Sequence, residues 1–517
     1  MVKLTGDTLN IDELVRIAYG LEKVTLSDAA SKKIEESHKK IVELAAQGTP
    51  LYGVNTGFGI FVDKRITKNQ SVKLNRNLIY SHAVATGDPL PKPVVRAAIA
   101  VRINALANGV SGIQYNIVNT LISLLNNDAV PVIASKGSLG SSGDLCLLAQ
   151  IGISIIDHEK DDSTLTGEIQ YKGQVLSGKE TLQLLGLEPI QFAYKDGLAL
   201  INGATFSAAI TALAVYEAKK LADLGEINTA MSLEALCGVS SAFHPGIHAL
   251  RNMDGQQKSA KIINSLITGS SFVNSSDILQ DAYSLRCAPQ VHGSVRDTIN
   301  HAGKVITAEI NAATDNPLMV EDDLVISGGN FHGEPVGFVS DFLKIALTEL
   351  GAISERRSFR LMDEKINNGL PGMLVDPKVD AGVNSGLMML QYTAAALILQ
   401  NKTLVFPDST HSLPTSANQE DHNANSFNSA LHLWEIIENT RKVLAIELYS
   451  AMRAIKIRMD LQPADCLGMM TQKVYDTFCS EFDYQPEDVQ WRYDLEKLYK
   501  LLTVNQDFRV KILSVVN

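Results

Sequence analysis

This 517-residue chain is short of several things. Cysteine is scarce: Cys146, Cys237, Cys287, Cys466 and Cys479 are odd in number, scattered, and form no Cys-x-x-Cys pair. That pattern fits reduced thiols better than a disulfide framework or a zinc site. Positive charge is in deficit, with 46 Lys and Arg against 57 Asp and Glu and a net charge of -11. This argues against a dedicated nucleic-acid protein, because phosphate binding needs concentrated cations. No window approaches about eighteen uninterrupted apolar residues, so no membrane span is expected. The first residues, MVKLTGDTLNIDELV, carry acidic side chains and no apolar core of a secretory signal. A cytoplasmic protein is the expectation.

What is present is mostly helical patterning. Val339, Leu343, Ala346, Leu350 and Ile353 recur at spacings of four and three, placing them on one helix face, while Glu349, Glu355, Arg356 and Arg357 fall on others. This predicts a helix over 335–363. Comparable stretches cover about 204–236, 294–313, 384–401 and 426–459. Helices of this length point to a bundle in which neighbours supply the burial. Strand signals are few, and residues 167–173 (GEIQYKG) read as a hairpin piece. The expected fold is mainly α, a long-helix central bundle (201–517) following a loop-rich N-terminal part (1–200). The boundary near residue 200 is soft, within one cooperative unit.

Glycine and proline gather around 52–59, 137–144, 328–335 and 406–422, where a helical frame would hold functional loops. Residues 137–144 read GSLGSSGD. Such a run serves as a linker or turn. It also permits attack of the Gly143 nitrogen on the Ser141 carbonyl carbon, and loss of the Ser142 hydroxyl would then leave a ring with an electrophilic methylene. Residues 52–59 (YGVNTGFG) lack dinucleotide and P-loop spacing, and read either as packing or as a lid carrying Tyr52 as a base. Tyr283 and Arg286 lie three apart, on one side of a helical turn. Arg286 either forms a surface salt bridge or holds a carboxylate. Glu420, Asp421 and His422 could form a metal corner, but no second cluster supports it. His244 and His248 are spaced i, i+4, yet Pro245 and Gly246 argue against a helix there. Neither serine of the Ser141–Ser142 pair occupies a Gly-x-Ser-x-Gly elbow.

In chain order, YGVNTGFG, GSLGSSGDL, ALINGAT, YSLRCAPQ, ATDNP, GGNFHGEP, GVNSG and LPTSANQEDH resemble the aromatic amino-acid ammonia-lyase and aminomutase family over roughly residues 10–460. The resemblance implies a mainly α fold and a homotetramer with active sites shared between subunits. It implies a self-made 4-methylideneimidazol-5-one (MIO) group from Ser141, Ser142 and Gly143, with no external cofactor or metal. Carried over by position, Tyr52 is the lid base, and Tyr283 assists proton movement. Asn202 holds the group or the amine, and Arg286 binds the substrate carboxylate. Gln280 and Phe331 line the pocket. His82, in LIYSHA, and Glu420 resemble the histidine-specific branch, implying elimination of ammonia from L-histidine to give urocanate. A tyrosine or phenylalanine ammonia-lyase or 2,3-aminomutase is the alternative within the family, and a catalytically silent scaffold the alternative outside it. Ser141 departs from the family, which usually has Ala. Cys146, Leu147 and Gln150, and Ala204-Thr205, depart as well.

Overall fold

The computed structural model describes residues 1–158, 166–321, 324–504 and 506–516. Among these are nineteen α-helices and nine short strands, so the architecture is mainly α. The long helices run Thr205–Ala235, Ala288–Glu309, Glu334–Met362, Met388–Leu404 and Ser426–Leu461. The helix expected from 294 starts six residues earlier because Pro289 falls in its first turn, where no N–H is required. The helix expected from 384 starts at Met388. The preceding Ser385 and Gly386 N–H groups donate instead to Asp488, at 2.6 and 2.9 Å.

One expectation is corrected. Residues 245–251 form a helix, Pro245–Arg251, despite Pro245 and Gly246. Proline at the first position is preorganised for helix entry, and His244 caps the end by accepting from the Gly246 N–H at 3.1 Å. His248 spends both ring nitrogens on protein, bonding the Ala242 carbonyl and Gln256 at 2.9 Å each.

The chain divides into two compact units, each assembled from separated segments. The first comprises Met1–Tyr216, Ala302–Asp341 and Pro407–Leu431; the second comprises Glu217–His301, Phe342–Phe406 and His432–Asn517. All nine strands belong to the first unit, in four small sheets. The expected hairpin is there: Glu168–Tyr171 pairs antiparallel with Gln174–Ser177. Helix Lys92–Ala107 forms the centre of this unit, with every residue from Val94 to Ala107 buried. A helix apolar on nearly all sides must be enclosed. Of its polar groups, Arg96 donates to the Ile17 and Leu125 carbonyls and to Asp128.

The second unit has no strand among its described residues, and it buries charge along its helices. Arg357 and Glu447 pair with neither side chain exposed, and Ser232 and Ser354 donate to the same carboxylate. Arg296 pairs with Glu226 and Asp223, and Glu217 receives both Arg441 and Arg509. Such pairs cost desolvation and add little net stability, but removing one member strands the other.

His292 is fully buried in this unit, and neither ring nitrogen has a hydrogen-bond partner among the described residues. Burial, reinforced by Arg357 and Arg296, holds it neutral well below the usual histidine range. Its folded pKa is depressed, so below pH 6.5 the unfolded chain takes up a proton that the folded chain refuses. Stability from this residue is therefore present above pH 6.5 and lost as the pH falls, by up to about 1.4 kcal/mol per unit. His292→Leu should flatten the acid limb of a stability-versus-pH curve measured by denaturant unfolding. Parallel curves for variant and parent would refute it.

Candidate active site

The loop at residues 51–66 is held by its own polar groups. Asn55 accepts from the Leu51 N–H at 2.8 Å, Thr56 accepts from the Gly53 N–H at 3.1 Å, and the Gly57 N–H donates to the Lys64 carbonyl at 2.9 Å. This folding turns Tyr52 over a cleft, with its phenol oxygen accepting from the Gly59 N–H at 3.0 Å and its ring edge-on to Phe58.

Beneath lies the turn at 137–144. Gly143 (φ +81°) and Gly203 (φ +114°) meet backbone to backbone, and a Cβ on Gly143 would fall 2.0 Å from the Gly203 carbonyl carbon. Only glycine fits this approach. The contact is secured by Asp144 N–H to Gly203 C=O at 2.9 Å and Gly203 N–H to Ser142 C=O at 3.1 Å. Asp144 is fully buried; Ser138 donates to it at 2.7 Å and the Ser207 N–H at 2.8 Å. Burial raises its pKa, and these bonds oppose the shift. The Asn425 N–H donates to the Leu139 carbonyl at 2.7 Å, and the Gly333 N–H to the Gly140 carbonyl at 3.1 Å. Helices beginning at Leu145, Thr205, Glu334 and Ser426 thus bring their N-terminal ends to the turn. That arrangement favours electron-rich groups there. The Ser142 carbonyl carries one backbone donor, from Gly203.

Asn202 follows helix Asp196–Ile201 and lines the cleft. Its amide nitrogen faces two acceptors, Asp315 Oδ1 at 3.2 Å and the Asn316 carbonyl at 3.3 Å. Those acceptors fix the amide so that Oδ1 is the free end, buried and unpartnered among the described residues. Lys195 holds Asp315 in a fully buried ion pair, and Arg102 donates to the Asn202 and Thr314 carbonyls. Burial lowers the Arg102 pKa to about 10. Lys195 and Asp315 escaped the sequence analysis; Asp315 lies in ATDNP, but the pair is 120 residues apart and carries no spacing signal.

The cleft, of about 1070 Å³, is lined entirely by first-unit residues. It brings together Tyr52, His82, Ser142, Asn202, Phe331 and Glu420 with apolar Phe58, Leu74, Leu78, Leu198 and Ile201. Ser141 and Gly143 border the adjoining recess with Glu420 and His82. His82 closes helix Lys68–His82, its Nδ1 bonded to the Leu78 carbonyl at 2.9 Å, so that Nδ1 carries the proton. Burial lowers its pKa, against the Leu78 bond and the charge of Glu420. Glu420 accepts from Ser142 Oγ and Thr415 Oγ1, both at 3.3 Å. Gln280, Tyr283 and Arg286 belong to the second unit and are not among the cleft residues. Tyr283 is 70% exposed, and the Arg286 guanidinium stacks over its ring at 4.5 Å. No group of three or more His, Cys, Asp or Glu side chains arranged to hold a metal occurs among the described residues. No helix described is long and apolar enough to cross a membrane.

Asp315→Asn keeps the shape but leaves buried Lys195 without its ion-pair partner. It should destabilise the protein by about 3–5 kcal/mol in denaturant unfolding. An unshifted midpoint would mean that the pair does not hold this part of the cleft.

Residues 9–480 match the model of the aromatic amino acid lyase family. The chain is 41% identical over 504 residues to the histidine ammonia-lyase of Caldanaerobacter subterraneus subsp. tengcongensis, covering 97% of this chain and 96% of that one. The solved histidine ammonia-lyase of Trypanosoma cruzi superposes with a TM-score of 0.89 at 35% identity, covering 100% and 96% of the two chains. A tyrosine aminomutase from Streptomyces globisporus superposes at 0.91 and 32% identity, covering 100% and 98%. With its helical frame and full-length matches to these enzymes, the chain belongs to the aromatic amino acid lyase family and is a carbon–nitrogen lyase.

Proposed function

We propose that this protein eliminates ammonia from L-histidine to give urocanate. The observation that carries the reading is Glu420, whose carboxylate faces the same cleft as Ser142 and His82. An imidazole N–H satisfies that carboxylate. A phenyl ring would leave it desolvated and unpaired, at a cost of about 1–3 kcal/mol. The identity with enzymes named histidine ammonia-lyase supports the same substrate.

Ser141, Ser142 and Gly143 are proposed to form the MIO ring, by attack of the Gly143 nitrogen on the Ser141 carbonyl carbon and loss of two waters. That group supplies an electrophilic carbon that turns the substrate amine into a leaving group. The Gly203 N–H already sits on the Ser142 carbonyl, where negative charge would gather. Asn202 Oδ1, the free end of its amide, accepts an N–H from the amine. Tyr52 on the lid removes the β-proton, and fixed positioning supplies much of the rate. Gln280, Tyr283 and Arg286 are proposed to act in a homotetramer, on a neighbouring copy's cleft. Tyr283 there assists proton movement and Arg286 binds the substrate carboxylate. The 2,3-aminomutase outcome is the second reading, favoured by the likeness to a tyrosine aminomutase.

The intact chain should weigh two waters less than its sequence, and Ser142→Ala should restore one or both waters and remove nearly all activity. A full-length mass without the deficit would sink the mechanism and favour a silent scaffold. Glu420→Gln should lower kcat/KM for histidine about ten- to a hundredfold and affect phenylalanine much less. Equal losses would show that Glu420 does not read the imidazole. Cinnamate or coumarate formed without urocanate would overturn the substrate, and a β-amino acid product would establish the mutase.

A further inference from the structure

Ser141 is the residue of the turn whose side chain no ring would consume. It is 8% exposed, and its hydroxyl meets Oδ1 of Asn423, which is fully buried. The direction of this bond is dictated by the neighbours. Asn423 Nδ2 points at the Leu413 carbonyl, which can only accept, so Asn423 turns its own carbonyl towards Ser141 and the serine must donate. The Asn423 N–H in turn donates to Ser412 Oγ at 2.8 Å. Asn423 therefore ties together both ends of the 412–423 loop.

That loop carries Glu420. Thr415 and Glu420 exchange backbone bonds, Thr415 N–H to Glu420 C=O at 2.7 Å and Glu420 N–H to Thr415 C=O at 3.2 Å. Thr415 Oγ1 also reaches the Glu420 carboxylate. The loop backbone is strained where it turns, with Ser416, Ala417 and Asn418 all at positive φ. Three successive residues in that region persist only when their surroundings hold them there. An alanine at 141 offers Asn423 nothing.

We infer that Ser141 is a positioning residue for substrate recognition: its hydroxyl, through Asn423, fixes the loop that aims Glu420 into the cleft. This rests on the proposed reading of Glu420 as the group that meets the imidazole. The residue acts on the placement of a substrate contact and leaves ring closure, which uses only its backbone, intact.

The test compares the full-length protein with Ser141→Ala, Ser141→Thr and Asn423→Ala. Ser141→Ala should keep the two-water mass deficit and exchange backbone deuterium faster over 412–423. It should raise the histidine KM about tenfold while kcat falls less than about threefold. The phenylalanine KM should move less than that for histidine. Ser141→Thr, which retains the donor, should restore both exchange and KM, and Asn423→Ala should reproduce the Ser141→Ala pattern. Unchanged exchange over 412–423 in Ser141→Ala overturns the anchor. Faster exchange with equal changes for both substrates overturns the link to Glu420. A missing mass deficit overturns the positioning role by placing Ser141 in ring closure. If the parent protein does not turn over histidine, the proposed activity fails on its own, and the exchange data still decide whether the anchor exists.

Discussion

Two glycines pressed together without side chains set the geometry of everything else in the cleft. Gly143 approaches Gly203 so closely that a Cβ on Gly143 would overlap the Gly203 backbone, while a Cβ on Gly203 would meet Thr314. Their paired hydrogen bonds lock the Ser142 carbonyl and the Asp144 amide to a second strand of chain. Because Asn202 precedes Gly203 directly, the same contact places the Asn202 amide at the cleft wall. Because Asp144 follows Gly143, it also draws a carboxylate into the interior. That burial is expensive, and it is offset by serine donors and by the N-terminal end of helix Thr205–Ala235. One close backbone approach therefore specifies the turn, the amide and the buried charge together.

The fold was legible wherever apolar residues repeat with helical period. The helix through Val339, Leu343, Ala346 and Leu350 lies within three residues of its expected ends, and those four side chains are buried. Periodicity does not reveal that Arg357 and Glu355, assigned to other faces of that helix, are buried too. Glu355 pairs with its neighbour Arg356, but Arg357 finds Glu447 90 residues away, and no local pattern encodes such a partner. Proline misled at 245, where its position in the first turn supports a helix.

Most of the candidate site was legible because its parts are contiguous motifs. Tyr52, Ser142, Asn202, Phe331 and Glu420 each come from a distinctive segment, and one cleft receives them all. Their roles came from family resemblance, since a glycine-rich loop or a serine pair alone is ambiguous. The supports behind them were not legible. Lys195, Asp315 and Asn423 are ordinary residue types whose meaning depends on what the fold places beside them. Each satisfies one polar group that would otherwise be stranded in the interior.

The hydrogen bond from Ser142 to Glu420 has a temporal meaning. Its donor is the hydroxyl that ring formation would expel, so under the proposed chemistry it exists only in the newly folded chain. Until then Glu420 is occupied by its own polypeptide, and the cleft offers an imidazole a carboxylate already engaged. Loss of that hydroxyl would create the reactive carbon and free the carboxylate oxygen in one event. Under that proposal the reactive carbon would appear as the carboxylate oxygen loses its intramolecular donor, so the binding and reactive groups would mature together.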